Sequence, residues 1–133
     1  MKLKRKIVAI ALCVAGLAGT ALVVAQSTGI KRTVLMKADV SVENREAVVA
    51  RAELDPGASV GKHTHNGDEI GYILEGETDL LVDGEPPRKL KAGDAYVIPA
   101  GKAHDAKNTG SVPLKLVGVY VVEKGKPLAS PAK

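Results

Sequence analysis

From Asp55 to Gly110 the chain meets a turn signal roughly every ten residues. The signals are Asp55-Pro56-Gly57, Asn66-Gly67-Asp68, Glu75-Gly76-Glu77, Asp83-Gly84-Glu85-Pro86-Pro87, Ala92-Gly93-Asp94, Pro99-Ala100-Gly101 and Thr109-Gly110. Each supplies residues that set special backbone angles or bond their own main chain. No long stretch of helical period occurs outside residues 7–25, so the intervals read as strands. They are expected near Val34–Ala38, Ala47–Leu54, Val60–His65, Glu69–Leu74, Thr78–Val82, Arg88–Lys91, Ala95–Ile98, Ala103–Lys107 and Leu114–Val122. Many short strands at this spacing predict an all-β sandwich or barrel. The chain has no Phe and no Trp, and its aromatic residues are Tyr72, Tyr96 and Tyr120. Val, Leu, Ile and Ala must therefore fill the interior, which suits sheets of β-branched residues.

The first 25 residues have a different purpose. Lys2, Lys4, Arg5 and Lys6 precede an uncharged, mostly apolar stretch from Ile7 to Ala25, the arrangement of an export signal. Cleavage is expected after Ala25 or after Ala21. Nineteen uncharged residues are also long enough to be an uncleaved anchor. Both readings leave the basic cluster in the cytoplasm and the remainder outside, periplasmic or secreted. Residues 26–32 read as a linker, 33–123 as one domain, and 124–133, with Pro127 and Pro131, as a disordered tail.

The net charge of +4 belongs to that leader. Without its four cations, 15 basic residues face 15 acidic ones, so the charge favours neither nucleic acid nor an acidic surface as partner. Cys13 lies inside the apolar stretch, and Leu12 before it is too large for a lipid-attachment site. The domain then has no thiol and no disulfide, and its stability must come from packing. Apolar residues on both faces of the strand bearing Ile70, Tyr72 and Leu74 point to a covered outer face, by sheet packing or by a homodimer.

The three histidines, His63, His65 and His104, fall with Glu69 at spacings that suit one metal ion. Residues two apart in a strand share a face, so His63 and His65 present two imidazoles together while Thr64 points away. Glu69 is a matter of parity. A two-residue hairpin on Asn66-Gly67 would pair Thr64 with Glu69 and turn the carboxylate away. A shared site thus requires a three-residue or bulged connection that pairs His65 with Glu69. Three imidazoles and one carboxylate suit a divalent transition metal better than Ca²⁺ or Mg²⁺. Asp68 and Asp105 flank the ligands as candidates to orient the rings, although such residues are more often solvated loop charges. The three tyrosines are candidate proton donors, with space filling the favoured reading.

These residues also match a family pattern. Gly57, five residues, His63-Thr64-His65, three residues, Glu69, six residues and Gly76 reproduce the first cupin motif. Gly93, five residues, Pro99-Ala100-Gly101, two residues, His104, three residues and Asn108 reproduce the second. The chain resembles a small single-domain cupin over roughly Val34 to Val122. The resemblance implies a double-stranded β-helix or jelly-roll barrel, with His63, His65, Glu69 and His104 as ligands inside. Gly57, Gly76, Gly93, Gly101 and Pro99 become turn residues, and Asn108 a structural or pocket-side position, with holding a turn by backbone hydrogen bonds the favoured reading over touching substrate.

Cupins with this ligand set include dioxygenases, isomerases and decarboxylases, so a metalloenzyme acting on a small polar substrate is one expectation. In it Glu69 balances charge and, if it detaches, serves as a base. A non-catalytic protein that binds a metal or a small ligand is the alternative. The two part on whether the ion keeps an open position beside a cavity. Export in an unfolded state favours Zn²⁺ or Cu²⁺ by the usual affinity order, while Mn, Fe, Ni and Co also suit the ligands.

Overall fold

A computed structural model describes residues 29–133. The expected export segment and the start of the linker lie outside the described residues. Ten strands follow: β1 (Ile30–Asp39), β2 (Arg45–Leu54), β3 (His63–Thr64), β4 (Asp68–Glu75), β5 (Glu77–Val82), β6 (Arg88–Lys91), β7 (Ala95–Ile98), β8 (His104–Lys107), β9 (Leu114–Glu123) and β10 (Ser130–Pro131). They form two five-stranded antiparallel sheets, ordered β1-β2-β9-β4-β7 and β10-β3-β8-β5-β6. The all-β expectation holds. The motif glycines Gly57, Gly76, Gly93 and Gly101 take φ of 81°, 79°, 94° and 74°, the left-handed region that a side chain makes costly.

Period-two patterning fixes which side of each strand faces in. Along β4 Glu69, Gly71 and Ile73 are buried while Ile70, Tyr72 and Leu74 are exposed. On β7 Tyr96 and Ile98 point inward. The registers align these residues in layers. Glu69 stands between Ile98 and Tyr120, Gly71 between Tyr96 and Gly118, and Leu116 between Ile73 and Ala52. The interior therefore passes from a polar layer, through glycines, to an apolar core of Leu54, Ile73, Leu80, Val82, Tyr96, Ile98, Leu114 and Leu116. Each large side chain buried there contributes about 1.5–3 kcal/mol.

Three expectations are corrected. β1 begins at Ile30, inside the anticipated linker, because its backbone pairs with β2 from Ile30↔Leu54 onward. Residues 124–133 are not a disordered tail. Ser130 and Pro131 pair with Thr64 and His63, and the amide of Asn66 donates to Pro127 O at 2.9 Å. The partners that hold this segment come from residues some sixty positions away, so local composition could not reveal them. Finally, β3 and β4 form no hairpin, either two-residue or bulged. Asn66 and Gly67 carry the chain from one sheet to the other, since β3 pairs with β8 and β10 while β4 pairs with β7 and β9. At that crossing a Cβ on Gly67 would lie 1.9 Å from Val121 O, an approach only glycine permits.

Candidate metal centre

Crossing between sheets brings Glu69 opposite the histidines, the result that hairpin parity was meant to deliver by another route. His63 and His104 are direct partners across β3 and β8, and His65 lies one residue beyond β3. One ligand atom each from His63, His65, Glu69 and His104 falls within 4.8 Å of the others. His65, Glu69 and His104 are buried and His63 stands at the rim.

Every ring is oriented by a main-chain carbonyl. Nδ1–H of His63 donates to Gly61 O at 2.7 Å, that of His65 to Leu128 O at 2.6 Å, and that of His104 to Lys102 O at 2.9 Å. A carbonyl accepts only, so each Nδ1 carries the proton and each ring, when neutral, presents a bare Nε2. Without a metal, a protonated His104 Nε2 donates to Glu69 Oε2. The Nε2 atoms of His65 and His104 both lie 3.0 Å from Glu69 Oε2. His65 Nε2 is off the angle that a hydrogen bond needs and is a sealed nitrogen without a hydrogen-bond partner.

Lone pairs converging on a carboxylate oxygen repel unless a proton or a cation lies among them. A separation of 3.0 Å is short enough for both atoms to reach one ion. The donor set, its tautomers and its spacing therefore fit a divalent transition metal.

The charges agree. Burial works to raise the Glu69 carboxyl, but His104, His65 and the Tyr96 hydroxyl outweigh it and hold it down at about 2. Burial lowers the proton affinity of His63, with the neighbouring His104 and His65 adding to the effect against its bond to Gly61. For His104 burial acts the same way, but Glu69 and the Lys102 carbonyl reverse it, and its pKa is raised.

Asp68 and Asp105 touch no imidazole. Asp68 accepts from Ala100 N at 2.9 Å, while Asp105 accepts from Ser59 and from Gly61 N. Each fixes a loop one step from a ligand. Asn108 does what was expected, donating to Leu54 O and Val112 O and accepting from Gly110 N.

Space filling fails as the account of Tyr96. Its hydroxyl donates to Glu69 Oε1 at 2.8 Å, which leaves Oε2 for the histidine side, and burial followed by the Glu69 charge keeps the phenol protonated. The Tyr120 ring lies 4.7 Å from that of His65. Tyr72 is exposed on the outer face. Both inner rings lie over glycines: a Cβ on Gly71 would meet Tyr96 at 2.1 Å, and one on Gly118 would meet Tyr120 at 2.5 Å. Those two glycines, each interrupting an apolar strand, were the sequence signal for the phenols.

The four candidate ligands open onto a cavity of about 640 Å³, walled by β1, β2, β9 and the segment 128–131, with Arg32 and Lys62 among its lining residues. Inward-facing Ala50 and Ala52 line this volume with small side chains.

A family model described as "Cupin domain" matches residues 50–122, from β2 through His63, His65, Glu69 and His104 to β9. The chain belongs to the cupin family. An oxalate-binding protein of Thermotoga maritima is 37% identical to this cupin over 83 residues, which cover 62% of this chain and 68% of that protein. Dimethylsulfoniopropionate lyase DddQ of Ruegeria pomeroyi is 45% identical over 42 residues, 32% of this chain and 21% of the lyase. Among solved structures, a conserved protein with a double-stranded β-helix domain from Klebsiella pneumoniae superposes with a TM-score of 0.64 at 24% identity. The match covers 79% of this cupin and 88% of that chain. At that identity the likeness is one of fold, and the fold is the double-stranded β-helix.

Proposed function

We propose that this cupin is exported, holds one divalent transition metal through His63, His65, Glu69 and His104, and takes a small organic acid at the open positions facing its cavity. The supporting observation is the set of three Nε2 atoms, freed by carbonyl-bound Nδ1–H groups, that converge with one carboxylate on a cavity. Such an ion would polarise an oxygen-bearing ligand or activate dioxygen. The chain's residues supply the rest. Tyr96 fixes Glu69, Tyr120 and the small residues of β2 shape the wall, and Arg32 and Lys62 add positive charge for an anion. Turnover would be dioxygenase-like or isomerase-like. Zn²⁺ or Cu²⁺ is proposed as the resident ion, on the ground of loading after export.

A second reading, in which the ligand is held without turnover, is favoured by Glu69. Pinned at Oε1 and held at about 2, this carboxylate is poorly suited to detach as a base. The relative from Thermotoga maritima is likewise named for binding. Calorimetry of metal-loaded protein with oxalate and small keto acids, run beside an oxygen electrode, tests both. Binding that requires the metal and weakens about tenfold in Arg32→Gln supports the acid as ligand. No binding to either class of acid sinks it, and oxygen uptake lost in His63→Ala selects the enzyme. Exposed Ile70, Tyr72 and Val97 on one sheet face support a homodimer in addition, and sedimentation that finds only monomer would refute it.

A further inference from the structure

The two candidate ligands on one side of the centre, His63 and His65, lie on and just past a very short strand. β3 comprises His63 and Thr64 and pairs with β8 through the single couple His63↔His104. Its other edge is completed by residues 127–132. Ser130 and Pro131 pair with Thr64 and His63, and Ala132 N donates to Lys62 O at 3.0 Å. The amide of Asn66 ties the approach to this segment at both ends: Oδ1 accepts from Glu123 N at 2.8 Å and Nδ2 donates to Pro127 O at 2.9 Å. Immediately after the second anchor, Leu128 O receives Nδ1–H of His65 at 2.6 Å.

This bond differs in origin from the other two. Gly61 and Lys102, whose carbonyls hold His63 and His104, lie two residues before the rings they orient, so those bonds form within one stretch of chain. Leu128 lies 63 positions from His65. The tautomer of His65 is thus set by a distant segment, and it is the tautomer that decides whether Nε2 presents a lone pair or a proton to the centre.

We infer that residues 127–132 position the His65 ligand, so that assembly of a complete metal site requires this segment docked on β3. Leu128, Ala129, Ser130 and Pro131 also line the cavity, so docking completes a ligand and a wall together. The inference rests on the proposed metal reading for its consequence, but the role of the segment toward the ring is measurable without metal.

The test compares the full chain with one ending at Lys126 and with full-length Ala132→Pro, which lacks the N–H that bonds Lys62 O. Long-range ¹H–¹⁵N spectra of the imidazoles, recorded metal-free at mildly alkaline pH, report each tautomer. The full chain should show Nδ1–H on all three rings. In the shortened chain His65 alone should become a mixture, with a partial form of the same change in Ala132→Pro. Zn²⁺ affinity should fall about 10–100-fold in the shortened chain, and a synthetic peptide of residues 127–133, added in excess, should restore it. An unaltered His65 in both variants overturns the inference. So does a change in His63 and His104 alongside His65 in Ala132→Pro, since the segment would then serve the fold at large. If no version of the chain binds Zn²⁺, the metal reading fails while the spectra still decide the role of the segment.

Discussion

Gly71→Ala probes the layer that joins the candidate metal centre to the core. Gly71 is a strand residue outside the left-handed region, so alanine meets no backbone strain there. The new Cβ would stand 2.1 Å from Tyr96 Cζ and 2.5 Å from its hydroxyl oxygen, and the ring has to move. Overpacking of this kind costs about 1–3 kcal/mol. Moving the ring also breaks the 2.8 Å bond from the phenol to Glu69, a hydrogen bond to a charged group worth about 1.5–3 kcal/mol. The two together predict a loss of about 2.5–6 kcal/mol in urea unfolding of the metal-free protein, with an unchanged slope against denaturant. Tyr96→Leu supplies the control, since leucine stops short of the atoms that collide. In that background Gly71→Ala should cost less than about 1 kcal/mol, giving a large coupling energy. A small cost in the wild-type background, or an equal cost in both, would refute the view that glycine is there to seat the phenol over its carboxylate.

Two further outcomes follow from buried polar groups. Asn108→Ala removes three hydrogen bonds from a residue with no exposed surface and should cost about 2–4 kcal/mol in the same urea measurement; a change under about 0.5 kcal/mol would contradict its role as a clamp between Leu54 and the 109–112 turn. In the metal-free protein, Glu69 is depressed from 4.5 to about 2. Its contribution to stability is therefore present above pH 4.5 and is lost as pH falls through about 2. Glu69→Gln should flatten that acid limb, and a limb of undiminished depth in the variant would assign it to other carboxylates.

Much of this molecule was legible because its constraints are local. Turn residues at regular spacing dictated short strands, and the motif glycines stand at positive φ for the reason their positions suggested. The candidate ligand cluster was legible because three histidines and one glutamate stand at the fixed separations of the motif. The relation between strands was not legible. Parity along a hairpin is a local rule, whereas Asn66 and Gly67 cross between sheets, so Glu69 reaches the histidines with no pairing of β3 to β4. The tail was misread for a related reason. Pro127 and Pro131 look like disorder in isolation, and only the distant Asn66, His65 and Lys62 give that backbone its partners. Tyr96 was underrated because nothing in its neighbours along the chain shows that Glu69 faces it across β4 and β7. The interruption of two apolar strands by Gly71 and Gly118 was the available clue.

The account turns on one ion at four side chains with room for a ligand. Zn²⁺ titration by calorimetry, paired with X-ray absorption of the loaded protein, measures this directly. The prediction is one ion per chain, bound by three imidazole nitrogens and one carboxylate oxygen together with at least one exchangeable oxygen from solvent. Affinity should fall by more than about 100-fold in His104→Ala, beyond what loss of an outer partner costs. A chain that binds no stoichiometric metal, or an ion whose affinity and absorption spectrum survive His104→Ala unchanged, would contradict it.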